Sequence, residues 1–188
     1  MILPLTTIII LLSSCAAGSD DAEAVAAHFR AVSKADYLVH ITSSFPGREL
    51  SFSLDYSYNR DGDDKVTVVA PDEISGMSFS VKGDAATLEF EGAILEMGRL
   101  SENFPSPLAA LPALIRTWND GNFSELAITE MRGNAAYLLI SRTQENEEET
   151  EYRTWIAKDD MTPLYAEIFS SGERIIQCDF ERAEQILQ

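Results

Sequence analysis

One stretch constrains this chain more than any other. Residues 48–59 read RELSFSLDYSYN, so that Leu50, Phe52, Leu54, Tyr56 and Tyr58 alternate with Ser51, Ser53, Asp55 and Ser57. A period of two sends successive side chains to opposite faces of an extended backbone, which a helix cannot do. One face is apolar and the other is wettable, which is the pattern of an antiparallel strand with one side on a core. Pro46-Gly47 before it and Asp61-Gly62 after it are turn sequences, so the strand is expected to hairpin with its neighbours.

The flanking sequence extends this into a sheet. Residues 36–44, 65–70, 76–82, 86–91 and 93–97 read as strands, with Pro71-Asp72 and Gly83-Asp84 as breaks. Further strands are expected near 124–131, 135–143, 150–157, 162–170 and 173–180. The acidic run Gln144 to Glu149 reads as an exposed loop between two of them. Two segments have helical spacing instead. Ala22, Val25, Ala26, Phe29 and Val32 form one face of a helix over 20–34, with Ser19 or Asp20 as cap. Leu108, Leu111, Leu114, Ile115 and Trp118 do the same after Ser106-Pro107, with Pro112 expected to kink that helix or split it in two. The order helix, strands, helix, strands, with no repeat and no long linker, predicts a single α+β domain around a strongly curved antiparallel sheet.

Charge narrows the partners. The chain has 31 Asp and Glu against 14 Lys and Arg, a formal charge of -17. Such a surface repels nucleic acid and anionic lipid alike. Membrane association would therefore need an apolar anchor, and the N-terminus offers one. Residues 2–12, ILPLTTIIILL, are uncharged and too short to span a bilayer as a helix. They run into Leu12-Ser13-Ser14-Cys15-Ala16, which resembles the lipobox of bacterial lipoproteins. The resemblance implies removal of a signal peptide, 1–14, and acylation of Cys15, followed by a short tether at 15–19 and one domain over 20–188. Two acyl chains suffice for stable anchoring. The basic residues that usually precede such a run are missing, since only Met1 comes before it. With Cys15 acylated, Cys178 has no intrachain partner and is expected as a small buried residue.

The lipobox, the leading helix, two runs of strands and the proline-bearing helix between them resemble the LolA/LolB superfamily. The most specific part is Asp159, Thr162, Pro163, Leu164, Ala166, Glu167 and Ile168 before the Ser171-Gly172 turn and a strand to Phe180. The resemblance implies a half-barrel of about eleven strands with helices packed on its concave side, in an extracytoplasmic protein that binds an acyl chain or an envelope protein partner. It also implies an early-strand arginine that meets the helical lid, for which Arg48 is the nearest candidate by order.

The concave side would be lined by Leu50, Phe52, Leu54, Tyr56, Met77, Phe79, Leu88, Phe90 and Trp118, either around a cavity or as a solid core. Catalytic patterns are scarce. His28 and His40 stand at no metal-ligand spacing, and no nucleophile elbow or phosphate loop is present. Asp61, Asp63 and Asp64 lack the rest of a calcium loop. The expectation is a monomeric, noncatalytic, membrane-tethered lipoprotein without cofactor. The competing readings are an accessory factor that stabilises a cell-wall or spore-cortex enzyme and, less favoured, an envelope hydrolase using scattered carboxylates such as Asp55 and Glu89.

Overall fold

The computed structural model describes residues 15–16, 19–45, 48–82, 85–99, 107–145 and 148–188. Its frame is one antiparallel sheet of twelve strands. In chain order these are β1 (Cys15–Ala16), β2 (Val32–Phe45), β3 (Arg48–Asn59), β4 (Asp64–Ala70), β5 (Ser78–Lys82), β6 (Ala85–Phe90), β7 (Ala93–Arg99), β8 (Glu125–Met131), β9 (Asn134–Glu145), β10 (Glu148–Ala157), β11 (Pro163–Ser170) and β12 (Glu173–Leu187). In space they run β1-β8-β9-β10-β11-β12-β2-β3-β4-β5-β6-β7, so β1 and β7 are the two edges and the sheet is not closed. All neighbours but two pairs are hairpins or short connections. The exceptions are β1 against β8 and β12 against β2, the second of which joins the C-terminal half of the sheet to the N-terminal half from Ile176 opposite Ser43 to Leu187 opposite Val32.

Helices α1 (Ser19–Ala31) and α2 (Pro107–Asp120) pack on each other and on β2. Asp20 and Asp21 in the first turn of α1 and Arg30 in its last suit the helix dipole. Val25, Ala26 and Phe29 are its buried face. The helix stops at Ala31, three residues before the expected end, and Val32 already belongs to β2. There is no glycine to end it. Tertiary contacts take over the carbonyls that a helix end leaves open. The Arg60 guanidinium donates to the carbonyls of Arg30 and Val32. The Arg60 amide donates to Ser33 O at 3.0 Å and the Gln188 amide to Ala31 O at 3.0 Å.

Helix α2 is one element through Pro112 and is not split in two. The lost hydrogen bond lies near the N-terminus of the helix, and buried Ala110, Leu111, Leu114, Ile115 and Trp118 on both sides hold the two parts together. Gly121 ends α2 at a φ of +67°, and a Cβ there would stand 2.6 Å from Ala26 Cβ. That glycine allows both the left-handed cap and the close approach of α1.

Two more expectations change. The acidic loop 144–149 is mostly strand: Glu149 pairs with Gln144 and Glu148 with Glu145, because the ladder bonds are made by the backbone whatever the side chains carry. Glu147 lies outside the described residues. Strand β12 does not stop at 180 but continues to Leu187, held by β2.

Candidate functional site

The alternation seen in β3 continues across the sheet as rows of cross-strand partners. Tyr37, Tyr56, Val66, Phe79, Leu88 and Leu95 are consecutive partners from β2 to β7 on the concave face. Burial along this row changes abruptly. Tyr37, Tyr56, Val66 and Phe79 are buried, Leu88 is half-buried, and Leu95 is 57% exposed.

Under the helices the middle of the concave face is packed with aromatic rings, and beside it a cleft of about 180 Å³ remains between α2 and the sheet, lined by Tyr58, Arg60, Val81, Pro112 and Arg116 among others. Trp118 from α2 sits 5.0 Å from the Phe29 ring and 6.0 Å from that of Phe180. Phe180 meets Tyr37 edge-on at 5.7 Å, and Tyr37 stacks on Tyr56 at 6.1 Å. The Trp118 indole N–H donates to Thr154 Oγ1 at 3.0 Å, so its one polar atom is satisfied inside the core. The Tyr56 hydroxyl donates to Asp64 Oδ2 at 2.8 Å, and the Asn59 amide to Asp64 Oδ1 at 2.9 Å. Burial, then the charge of Asp64, holds the Tyr56 phenol well above its ordinary range. Burial also lifts the Asp64 carboxyl above its ordinary range, with hydrogen bonds from Asn59 and Tyr56 opposing it. Asp64 is thus a ligand of its own β3–β4 turn. Cys178, opposite Ile41 and Ala166, is fully buried, and burial pushes its thiol up, away from the reactive thiolate.

Helix α1 is fastened at both ends. The Tyr137 hydroxyl on β9 donates to Asp21 Oδ1 at 2.9 Å. Near the other end His28 Nε2 donates to Gln185 Oε1 at 2.8 Å, and Gln185 Nε2 donates to the Tyr37 hydroxyl at 3.2 Å. His40 is half-buried on the convex face, 3.4 Å from Ser53 Oγ.

Of the residues expected on the concave side, Leu54, Tyr56, Phe79 and Trp118 belong to the buried core, and Phe52, Met77 and Leu88 are half-buried against it. Leu50 and Phe90 are half-buried at the periphery. Arg48 is exposed at the start of β3. Arg60, in the β3–β4 turn, meets the end of a helix instead. Nothing in its local sequence marks it, because its partners are backbone carbonyls 28 and 30 positions earlier.

A cleft of about 390 Å³ on the convex face has a mostly polar lining, with Asp36, Asp55, Ser57, Lys65, Thr67, Arg182 and Glu184 among its residues. The Ser57 hydroxyl already donates to Asp36 at 2.6 Å, and Arg182 to Asp55 at 3.3 Å. Further along that face Arg142 bridges Glu125, Glu149 and Glu151, and Arg153 lies over the Phe169 ring at 4.3 Å.

An open antiparallel sheet with two helices seated on its hollow side is the architecture that the sequence resemblance implied. The fold is LolA-like. No family model matches the chain, and no curated protein matches it. Among solved structures, an uncharacterised conserved protein from Thermus thermophilus shares the fold at a TM-score of 0.55, with 8% identity over 90% of this chain and 88% of that one. The chain is also similar to the LolA superfamily protein NE2245 from Nitrosomonas europaea, at 10% identity and TM-score 0.46 over 89% and 94%. The Mycobacterium tuberculosis lipoprotein LppX is 14% identical at TM-score 0.45 over 88% and 98%.

In this LolA-like half-barrel Cys15 lies at the edge away from β7. Cys15 pairs with Ile128, and Ala16 with Ala127, as a two-residue bridge on β8. Among the described residues, no helix is long and apolar enough to cross a membrane.

Proposed function

We propose that this chain is an extracytoplasmic lipoprotein held at the membrane by an acylated Cys15, and that its LolA-like domain binds a protein partner without catalysing a reaction. The anchor rests on the Leu12-Ser13-Ser14-Cys15 motif and on the acidity of the domain, which gives it no electrostatic hold on an anionic bilayer. The choice of a protein over an acyl chain rests on one observation. The concave floor beneath the helices is occupied by the chain's own side chains, Trp118, Tyr37, Tyr56, Phe29 and Phe180, packed ring against ring. An acyl chain bound there would have to displace them, and each large aromatic contributes about 3 kcal/mol or more to stability.

Two measurements test this reading. Labelling with radioactive palmitate should mark the wild-type protein and leave Cys15→Ala unlabelled and in the soluble fraction. A label that persists in Cys15→Ala removes the anchor. Native mass spectrometry of Cys15→Ala purified from the soluble fraction should show the bare polypeptide mass. A retained acyl ligand would replace the partner reading with a carrier one. Cross-linking in the intact envelope should then recover one stoichiometric protein.

A further inference from the structure

The partner-binding reading leaves open where a partner sits and what it looks like. Strand β7 answers both. It hydrogen-bonds to β6 through Ala85–Arg99 to Phe90–Ala93, and among the described residues no strand pairs with its other side. Exposed edges are normally guarded by lysine, proline or a covering element, because a free row of amides and carbonyls pairs with any extended chain. Residues 93–97 carry no lysine or proline, and among the described residues no strand or helix covers them; their one charge is Glu96, and the ladder with β6 slips at Met97. They read Ala-Ile-Leu-Glu-Met, with Ile94 71%, Leu95 57% and Met97 45% exposed. The two faces of the edge differ. On the concave side Leu95 continues the apolar row of Phe79 and Leu88. On the convex side Ile94 stands opposite Glu89, and Glu96 follows it. Glu89, Glu91 and Glu96 are exposed, and none of the three forms an ion pair among the described residues.

We infer that β7 is a docking edge for an extended segment of a protein partner, one that alternates apolar residues with Lys or Arg and adds a strand to the sheet. Backbone pairing with Ala93–Met97 would supply affinity, and the alternation would supply specificity. Apolar side chains of the added strand would fall on the concave side, extending the row past Leu95. Its cations would fall on the convex side, against Glu96 and Glu89. A second copy of this chain fits badly, because pairing two β7 edges gathers Glu96 and Glu89 of both copies on one convex face within a chain of charge -17. An anionic membrane is repelled by the same carboxylates.

The inference rests on the partner-binding reading, and its test is separate from that reading's. The full chain is held in phosphatidylcholine nanodiscs, with empty discs as the blank. Binding is followed by fluorescence polarisation of a labelled octapeptide of alternating Lys and Val. The expected result is saturable binding that is at least tenfold weaker for three comparison peptides: alternating Glu and Val, a Lys-block–Val-block scramble, and a Lys-Val peptide N-methylated at alternate residues. Glu96→Lys, an exposed change that leaves the core untouched, should weaken the Lys-Val peptide at least tenfold and strengthen the Glu-Val one. Amide exchange should slow on binding in Ala93–Met97 and not at the β8 edge. Equal binding of the scramble, or indifference to N-methylation or to Glu96→Lys, overturns the inference. Self-association that Glu96→Lys strengthens or abolishes assigns the edge to a second copy and overturns it equally. If the peptide fails while the concave face is still free of acyl ligand, β7 is excluded as the edge and the partner reading stands. If acyl ligand is found, the partner reading falls with it.

Discussion

The β2–β12 seam and the β6–β7 edge are built alike and fare differently. Both are antiparallel ladders with apolar residues facing the same concave side. At the seam Tyr37, Val39, Ile41, Ile176 and Cys178 are sealed. At the edge Ile94, Leu95 and Met97 are open to solvent, although β7 is the more apolar of the two sequences. The difference is the second layer. Helices α1 and α2 lie over β2 and its neighbours, and among the described residues neither packs on β7. An apolar strand is therefore core only where something covers it, and an uncovered one is a place for something else.

The contrast can be broken by substitution. Trp118→Ala removes the ring between Phe29 and Phe180 and orphans the Thr154 hydroxyl. It should cost about 3–5 kcal/mol in urea denaturation. Gly121→Ala forces a left-handed residue and a clash with Ala26, and should cost about 1–2 kcal/mol or more by the same measurement. Arg60→Ala opens the C-terminal carbonyls of α1. It should cost about 1 kcal/mol and speed amide exchange in the last turn of α1 before any change at β7. Ile94→Thr lies at the other extreme and should change stability by no more than about 0.5 kcal/mol. A cost for Ile94→Thr comparable with that of Trp118→Ala would mean that the β7 edge is covered and would end the comparison.

A pH titration sharpens it from another side. Burial raises the Asp64 carboxyl, so in the window between its unfolded and folded values the folded state holds more protons. The contribution of Asp64 is complete below the unfolded carboxylate range and is lost as pH rises through the folded value. Asp64→Asn should remove that falling limb from the stability profile. Glu151, on the convex face, has the opposite sign. Burial lifts it, but hydrogen bonds from Arg153 and Arg142 bring it below its ordinary range. Its contribution is present above the unfolded value and is lost as pH falls through the folded one. Glu151→Gln should flatten the acidic side of the same profile.

The residues alone determined much of this architecture. The alternation over residues 48–59 specified β3 and its inward face, because a period of two admits one answer. The turn pairs placed most hairpins, and Cys178 was expected to be buried for want of a partner. The concave face was legible as a set of apolar residues. Tertiary structure decided which of them are core and which are open, because that depends on where two helices lie and not on residue type. It also ended α1 at Ala31, where Arg60 and Gln188 supply the cap that no local glycine does. It turned ERAEQIL, a poor strand by propensity, into the last half of β12, because the neighbouring β2 offered a ladder to complete. And it left β7 without a second layer, a fact of coverage that no property of the sequence AILEM records.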